Sequence, residues 1–354
     1  NQSQEKLPKW IDMNKYRRGQ KFVHDNYASI IISVLLGSIY GFTFNDGLTP
    51  IIVSGQSQTP YLAFKRYLST IVQIMSWCNE DPWVKGTKAY KNMQFARSKH
   101  LWIDKKMSRM SNEEILAVSK IADSSYLERE TSVRDAVTCP FGKSQIRPYK
   151  ITENLFITKT INNAMFSVAQ GCFLMLAIIY PQNIGIHDAT DEDLEAFCHM
   201  WKCYGYFLGM EDEYNFCRGS FKEIKQRLCD LDQHWIKINF TDITSEWMYI
   251  IRNITESINY YPYLYMTHKI MTLLLAESLN LEMPNLYASL KYGEWIAYNI
   301  YKFFFNHAAK FSIIKRIVNL LFYKILQTAS NFGPETLAKL QEKSKQYLDF
   351  SNKS

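Results

Sequence analysis

The sequence predicts an all-α fold, a single large multi-helix domain of ten or more helices around an aromatic interior. Three observations carry that expectation. Apolar residues recur at helical spacing, and sustained strand-type alternation is hard to find. Helix starts and stops are marked by side chains suited to capping. The chain of 354 residues also holds 8 Trp, 23 Tyr and 21 Phe, large flat side chains for a wide apolar interior.

The elements follow in chain order. Residues 27–44 are uncharged but interrupted by Ser and Gly and closed by Asn45-Asp46, which predicts a buried helix rather than a membrane span. Thr59-Pro60 pairs an N-cap residue with a proline at the first helical position and opens a helix through about Cys78. A second helix covers roughly Ala89–Met107. Ser111 and Glu114 have capping-box spacing, for a helix reaching about Leu127. Residues 130–152 read as the longest irregular loop. The uncharged run 161–186 contains Asn162, Asn163, Gln170 and Gly171 and is again expected as a core helix.

Thr190 and Asp193 repeat the capping-box spacing, and Gly209 is a natural stop for that helix. Pro284 separates two later helical stretches. Residues 301–327 form a candidate membrane-surface helix. Phe311, Ile314, Val318, Leu321 and Ile325 fall on one face, and Lys315, Arg316 and Asn319 on another. An edge helix packed on the core accounts for the same pattern equally well. Gly333-Pro334-Glu335 opens the last helix. No linker rich in Gly, Ser or Pro divides the chain, so 1–354 is expected as one domain, without internal repeats.

Composition narrows the function classes. A mean hydropathy of −0.23 excludes a polytopic membrane protein. Residues 1–110 carry 16 basic and 7 acidic side chains, residues 185–215 carry eight carboxylates against Lys202, and residues 301–327 carry five cations and no carboxylate. Such basic stretches suit anionic lipid or an anionic cofactor. No nucleic-acid-binding signature accompanies them, so nucleic acid is not an expected partner. Seven Cys at irregular spacing are not a small-domain disulfide framework, and at most one or two pairs are expected.

Common chemistries are missing. There is no GxGxxG, P-loop, GxSxG or HExxH, no CxxCH, and no Glu followed three residues later by His. His199 and Cys203 stand one helical turn apart, but two ligands without a third favour a structural role. A better arrangement lies earlier. Arg66 and Thr70 share one helix face with Ser69 beside them, and Arg97 and His100 are one turn apart on the next helix. An imidazole and arginines from neighbouring helices suit a bound anionic macrocycle, with His as iron ligand. By spacing alone, solvated arginines and a core histidine explain these residues as well.

The run from Tyr16 to Phe22 (YRRGQKF), then Ser54 to Pro60 (SGQSQTP), then Arg66 to Thr70 (RYLST) resembles the rubber oxygenase (latex clearing protein) family. That family includes the ER-bound oxygenase of the fungal mycophenolic acid pathway. His199-Met-Trp201, the run Gly205–Gly209, Asp212 and Asn215-Phe-Cys217 resemble its second half, especially in animal members. The likeness covers about residues 15–330. It implies a noncovalent haem b, with His100 as proximal iron ligand, thirty residues beyond Thr70. Arg66, Ser69, Thr70 and Arg97 would border the haem, and Arg66 and Thr70 would carry catalysis on the distal side. Ser69 departs from the family's Lys and is a poor ligand, so an open or water-ligated distal position is expected.

The function expected is therefore a haem b-dependent oxygenase, using O2 or peroxide on an apolar, isoprenoid or lipid-like small molecule, by oxidative C=C cleavage. The alternative is a haem or lipid-like ligand carrier without turnover. Ala164, Phe166, Phe173 and Leu176, and Tyr261, Tyr265 and Met266, are candidate pocket walls, although core packing explains each. The expected location is the endoplasmic reticulum, another endomembrane, or outside the cell, with a membrane surface among the partners.

Overall fold

The computed structural model describes residues 7–119, 159–240 and 243–351, and no strand occurs among them. The first half comprises α1 (Met13–Asp25), α2 (Tyr27–Gly41), α3 (Asn45–Ser54), α4 (Pro60–Asn79), α5 (Lys88–Ser108) and α6 (Asn112–Ser119). The second begins with α7 (Asn163–Ile179), α8 (Asp191–Leu208), α9 (Phe221–Leu231), α10 (Lys237–Phe240) and α11 (Ser245–Ile258). It continues through α12 (His268–Ser278), α13 (Pro284–Ala288), α14 (Tyr292–Asn306), α15 (Ser312–Ser330) and α16 (Pro334–Ser351).

Helix pairs from the two halves build the core. α1 lies along α8, α2 along α7, and α4 is held between α5 and α11. Two glycines let backbones meet. A Cβ on Gly19 would stand 2.6 Å from the Ala196 carbonyl oxygen, and one on Gly37 would collide with that of Cys172. Only residues without a side chain permit such approach. One continuous apolar cluster then runs from Tyr16 to Ala329, with Trp247, Tyr204 and Phe197 wholly inside.

The caps sit where the sequence places them. Thr59 Oγ1 accepts from Leu62 N at 3.2 Å. Ser111 with Glu114 and Thr190 with Asp193 close reciprocal capping boxes. Gly209 stops α8 at φ 107°, a left-handed conformation that favours glycine. The continuation of α6 toward Leu127 and the loop 130–152 lie outside the described residues. The run 161–186 gives a helix only as far as Ile179, because Pro181 starts a separate turn. No single described helix is long and apolar enough to cross a membrane; α1 and α2 pass together only across a 94° bend. After α9 the backbone widens into a π turn, Asp232–Ile236, where buried Asp232 meets Lys237 at 3.1 Å and Tyr180.

Two helix starts take a hydrogen bond from far along the chain. Asn26 offers α2 no side-chain bond. Asn319 on α15 supplies it instead, accepting from Ala28 N at 3.0 Å and donating to the Asp25 carbonyl at 3.0 Å. Likewise Ser344 Oγ on α16 accepts from Tyr61 N at 3.1 Å, beside the Thr59 cap of α4.

Residues 301–327 correct the sequence expectation twice. They are not one helix: α14 ends at Asn306, and a short turn, Ala308–Lys310, precedes α15. His187 Nε2 donates to the freed Phe305 carbonyl at 2.7 Å, and Ala308 and Ala309 are buried. The two expected faces are also mixed: Ile314, Val318 and Ile325 stay on the inward side, and Lys315 and Asn319 join them there. Lys315 turns inward to Asp188 at 2.7 Å, and Asn319 turns inward to α2. These polar anchors, four residues apart, fix the rotation of α15 and leave Ile313, Ile317, Leu320 and Leu321 facing out. Periodicity alone put Lys315 and Asn319 on a face apart from Ile314, Val318 and Ile325.

The described cysteines are all free thiols, with Cys198 and Cys217 in contact inside the core.

Candidate functional site

α4 and α5, each opened by a threonine cap, pack side by side. That pairing brings Arg66 and His100 within electrostatic reach of each other. Arg66 Nη1 donates to Ser57 Oγ at 2.7 Å. Ser57 is fully buried, and its carbonyl accepts from Asn253 Nδ2 at 3.2 Å. The guanidinium carbon lies 5.1 Å from the Tyr67 ring centre and 5.8 Å from that of Phe42, so two aromatic rings flank the cation. Among the described residues no carboxylate pairs with Arg66.

His100 meets the edge of Phe166 at 5.0 Å between ring centres, which brings one expected wall residue from α7 to the site. Its Nδ1 is shielded from water and has no hydrogen-bond partner. Burial first, and the positive charge of Arg66 second, push its pKa from 6.5 down to about 4. The imidazole is therefore neutral near pH 7, with a lone pair free on one ring nitrogen. Tyr67 adds a second shielded group: its hydroxyl has no well-formed hydrogen bond, and burial raises its pKa to about 12 against the pull of the charge and contact of Arg66. Buried polar atoms normally have partners, so two such groups beside a part-buried arginine make this the candidate ligand site.

The other predicted residues are dispersed. Thr70 follows Arg66 by one turn and is part-buried. Arg97 turns toward the end of α8, where a Cβ on Gly209 would stand 3.6 Å from its Nε. There the guanidinium faces the negative end of a helix dipole. Ser69 lies on the outer flank of α4, its Oγ accepting from Gln73 at 2.7 Å. Among the second wall candidates, Tyr261 packs edge-on to Phe64, Met266 is buried and Tyr265 is exposed. Ser57 and Tyr67 were not singled out from sequence. Both lie inside the quoted runs, but a serine before a helix and a tyrosine beside an arginine carry no chemical signature.

The residues fit a haem in three respects: a neutral imidazole with an unused nitrogen, an unpaired cation for a carboxylate, and aromatic walls. One expected support is missing, because no carbonyl or carboxylate takes a bond from His100 Nδ1. Ring orientation rests on Phe166 instead. His199 Nε2 is occupied in accepting from Asp12 N at 3.0 Å, and no three His, Cys, Asp or Glu side chains gather among the described residues.

A separate cleft of about 470 Å3 lies on the other flank of α4, lined by Phe64, Leu68, Ser69, Phe95, Phe332 and Leu337 among others. Its walls are mainly apolar.

No family model, curated protein or solved structure matches the chain.

Proposed function

We propose that this chain is a haem b-dependent oxygenase acting on an apolar, isoprenoid or lipid-like molecule. The observation that carries the reading is the Arg66–Tyr67–His100 cluster, in which the Tyr67 hydroxyl and His100 Nδ1 are shielded without well-formed hydrogen bonds beside a part-buried arginine. The resemblance to rubber oxygenases supports the same residues. When bound, haem b supplies the oxidising chemistry toward O2 or peroxide.

The chain's own residues do the rest. His100 holds the iron, since burial keeps its imidazole neutral and its lone pair uncommitted. Arg66 keeps its charge beside that ring, where it pairs with an anionic group of the macrocycle or polarises an oxygen atom. Ser57 fixes one arm of the guanidinium and leaves the others free. Thr70 and Tyr67 offer hydroxyl donors. Phe166 and Phe42 exclude water. In oxidative C=C cleavage by O2, each alkene carbon takes one oxygen atom, giving two carbonyls with no outside reductant.

A carrier without turnover is the second reading, and the apolar cleft lined by Phe64, Leu68 and Phe332 favours it. One experiment separates them. A visible spectrum of the purified chain, as isolated and after dithionite, with pyridine haemochromogen analysis, should give about one haem b per chain. His100→Ala should lose most of it, and Arg66→Ala should keep haem yet lose turnover. No haem after haem-supplemented expression rules out the oxygenase.

A further inference from the structure

We propose that the outward face of α15 is a docking surface for an anionic lipid bilayer. This inference does not depend on whether His100 holds iron.

The polar groups that would ordinarily cover this face are spent on the interior. Lys315, with its side chain 11% exposed, is tied to Asp188, and Asn319 caps α2. The helix therefore cannot rotate its apolar residues inward without breaking both. Phe311, Ile313, Ile317, Leu320, Leu321 and Tyr323 remain between 51% and 70% exposed. A soluble monomer rarely leaves so many large apolar side chains together in water.

Charge selects the occupant. Lys310, Arg316 and Lys324 are exposed on the same stretch, and no carboxylate occurs from 301 to 327. A second copy meeting this face through a two-fold axis would set cation against cation. Lipid headgroups bearing phosphate and carboxylate complement it. Long basic side chains beside an apolar strip reach up to headgroups while the strip enters the acyl boundary. Phe311 and Tyr323 add the aromatic residues common at that depth.

The test is flotation of the full chain with vesicles of phosphatidylcholine alone and with added phosphatidylserine, alongside sedimentation without lipid. The wild type should float with the anionic vesicles and lose binding as salt rises. Ile317→Ser with Leu320→Ser should weaken binding to anionic vesicles by at least about tenfold. Arg316→Gln with Lys324→Gln should give a loss of about tenfold or more, confined to phosphatidylserine vesicles. All four positions are exposed, and matching far-UV CD melts confirm that each variant folds. Failure to float with either vesicle overturns the proposal, as does unchanged binding by both double variants. A concentration-dependent dimer abolished by the Ile317/Leu320 pair, with vesicles ignored, assigns the face to a second copy and also overturns it.

Discussion

Two buried polar clusters, one between α7 and α8 and one between α4 and α5, use their hydrogen bonds in opposite ways. In the first, Gln170 donates to the Trp201 carbonyl at 2.7 Å and accepts from Phe216 N at 3.0 Å. Asn215, fully buried, donates to the Lys202 carbonyl and accepts from Cys217 N, both at 3.0 Å. Each amide spans a helix and the loop that follows α8. In the second, Arg66 has one polar partner, and the Tyr67 hydroxyl and His100 Nδ1 have none. Unpartnered buried groups occur elsewhere too, at the Trp77 and Trp201 indoles and the Tyr261 hydroxyl. A satisfied network stabilises and specifies the core, whereas an unsatisfied one costs stability until something binds. The contrast is between a satisfied scaffold and a candidate site.

The strongest way to break the contrast is to attack the satisfied cluster. Asn215→Ala orphans a buried carbonyl and a buried N–H and should cost about 3 kcal/mol in urea unfolding. Gly205→Ala strikes the same network by volume, since its Cβ would stand 2.9 Å from Asn215 Nδ2 and 3.0 Å from Gln170 Nε2. If both variants lose under about 0.5 kcal/mol, the network is not structural in the sense argued.

The next effect is a pH dependence. Folded His100 stays neutral down to about pH 4, whereas in the unfolded chain it takes its proton near 6.5. Between those values the unfolded state binds more protons, so the contribution is complete above 6.5 and is lost as pH falls through the window. The haem-free protein should lose about 2 kcal/mol from this group between about pH 7 and about pH 5. His100→Leu should lack that increment, which parallel denaturant titrations will measure.

At the orphaned cluster, substitutions should reverse sign. Tyr67→Phe removes a buried hydroxyl that has no well-formed hydrogen bond, and the haem-free variant should be as stable as wild type or up to about 1 kcal/mol more so. A clear loss in its thermal melt would mean that the hydroxyl has a partner after all. Smallest of all, Ser69→Ala should shift stability by less than about 0.5 kcal/mol and leave any Soret band in place, because its Oγ meets only Gln73.

The fold was legible because its signals are local. Thr59-Pro60, Ser111 with Glu114, and Thr190 with Asp193 satisfy orphan backbone groups within a few residues, and the structure uses each in that way. What escaped the sequence depends on distant partners. Nothing near Lys315 or Asn319 shows that Asp188 and α2 will hold them inward, so the exposure of Ile313, Ile317 and Leu320 on the opposite side is not legible from the sequence. The site divides similarly. Helical spacing placed Arg66 and His100 on adjacent helices, but burial, not residue type, leaves Tyr67 and Ser57 beside them. Equally, spacing grouped Ser69 with Arg66, although a step of three residues turned it toward the cleft.

The two borrowed caps also set an order on the chain's synthesis. Ala28 waits for Asn319, 291 residues later, and Tyr61 waits for Ser344, 283 residues later. At roughly 5–20 residues per second, tens of seconds pass after α2 emerges from the ribosome before its cap exists. Until then α2, an almost wholly apolar helix, must remain incomplete, and closing so long a loop slows the final docking. The N-terminal helices of this protein are thus capped by its last ones, long after α7 has emerged to cover the apolar face of α2.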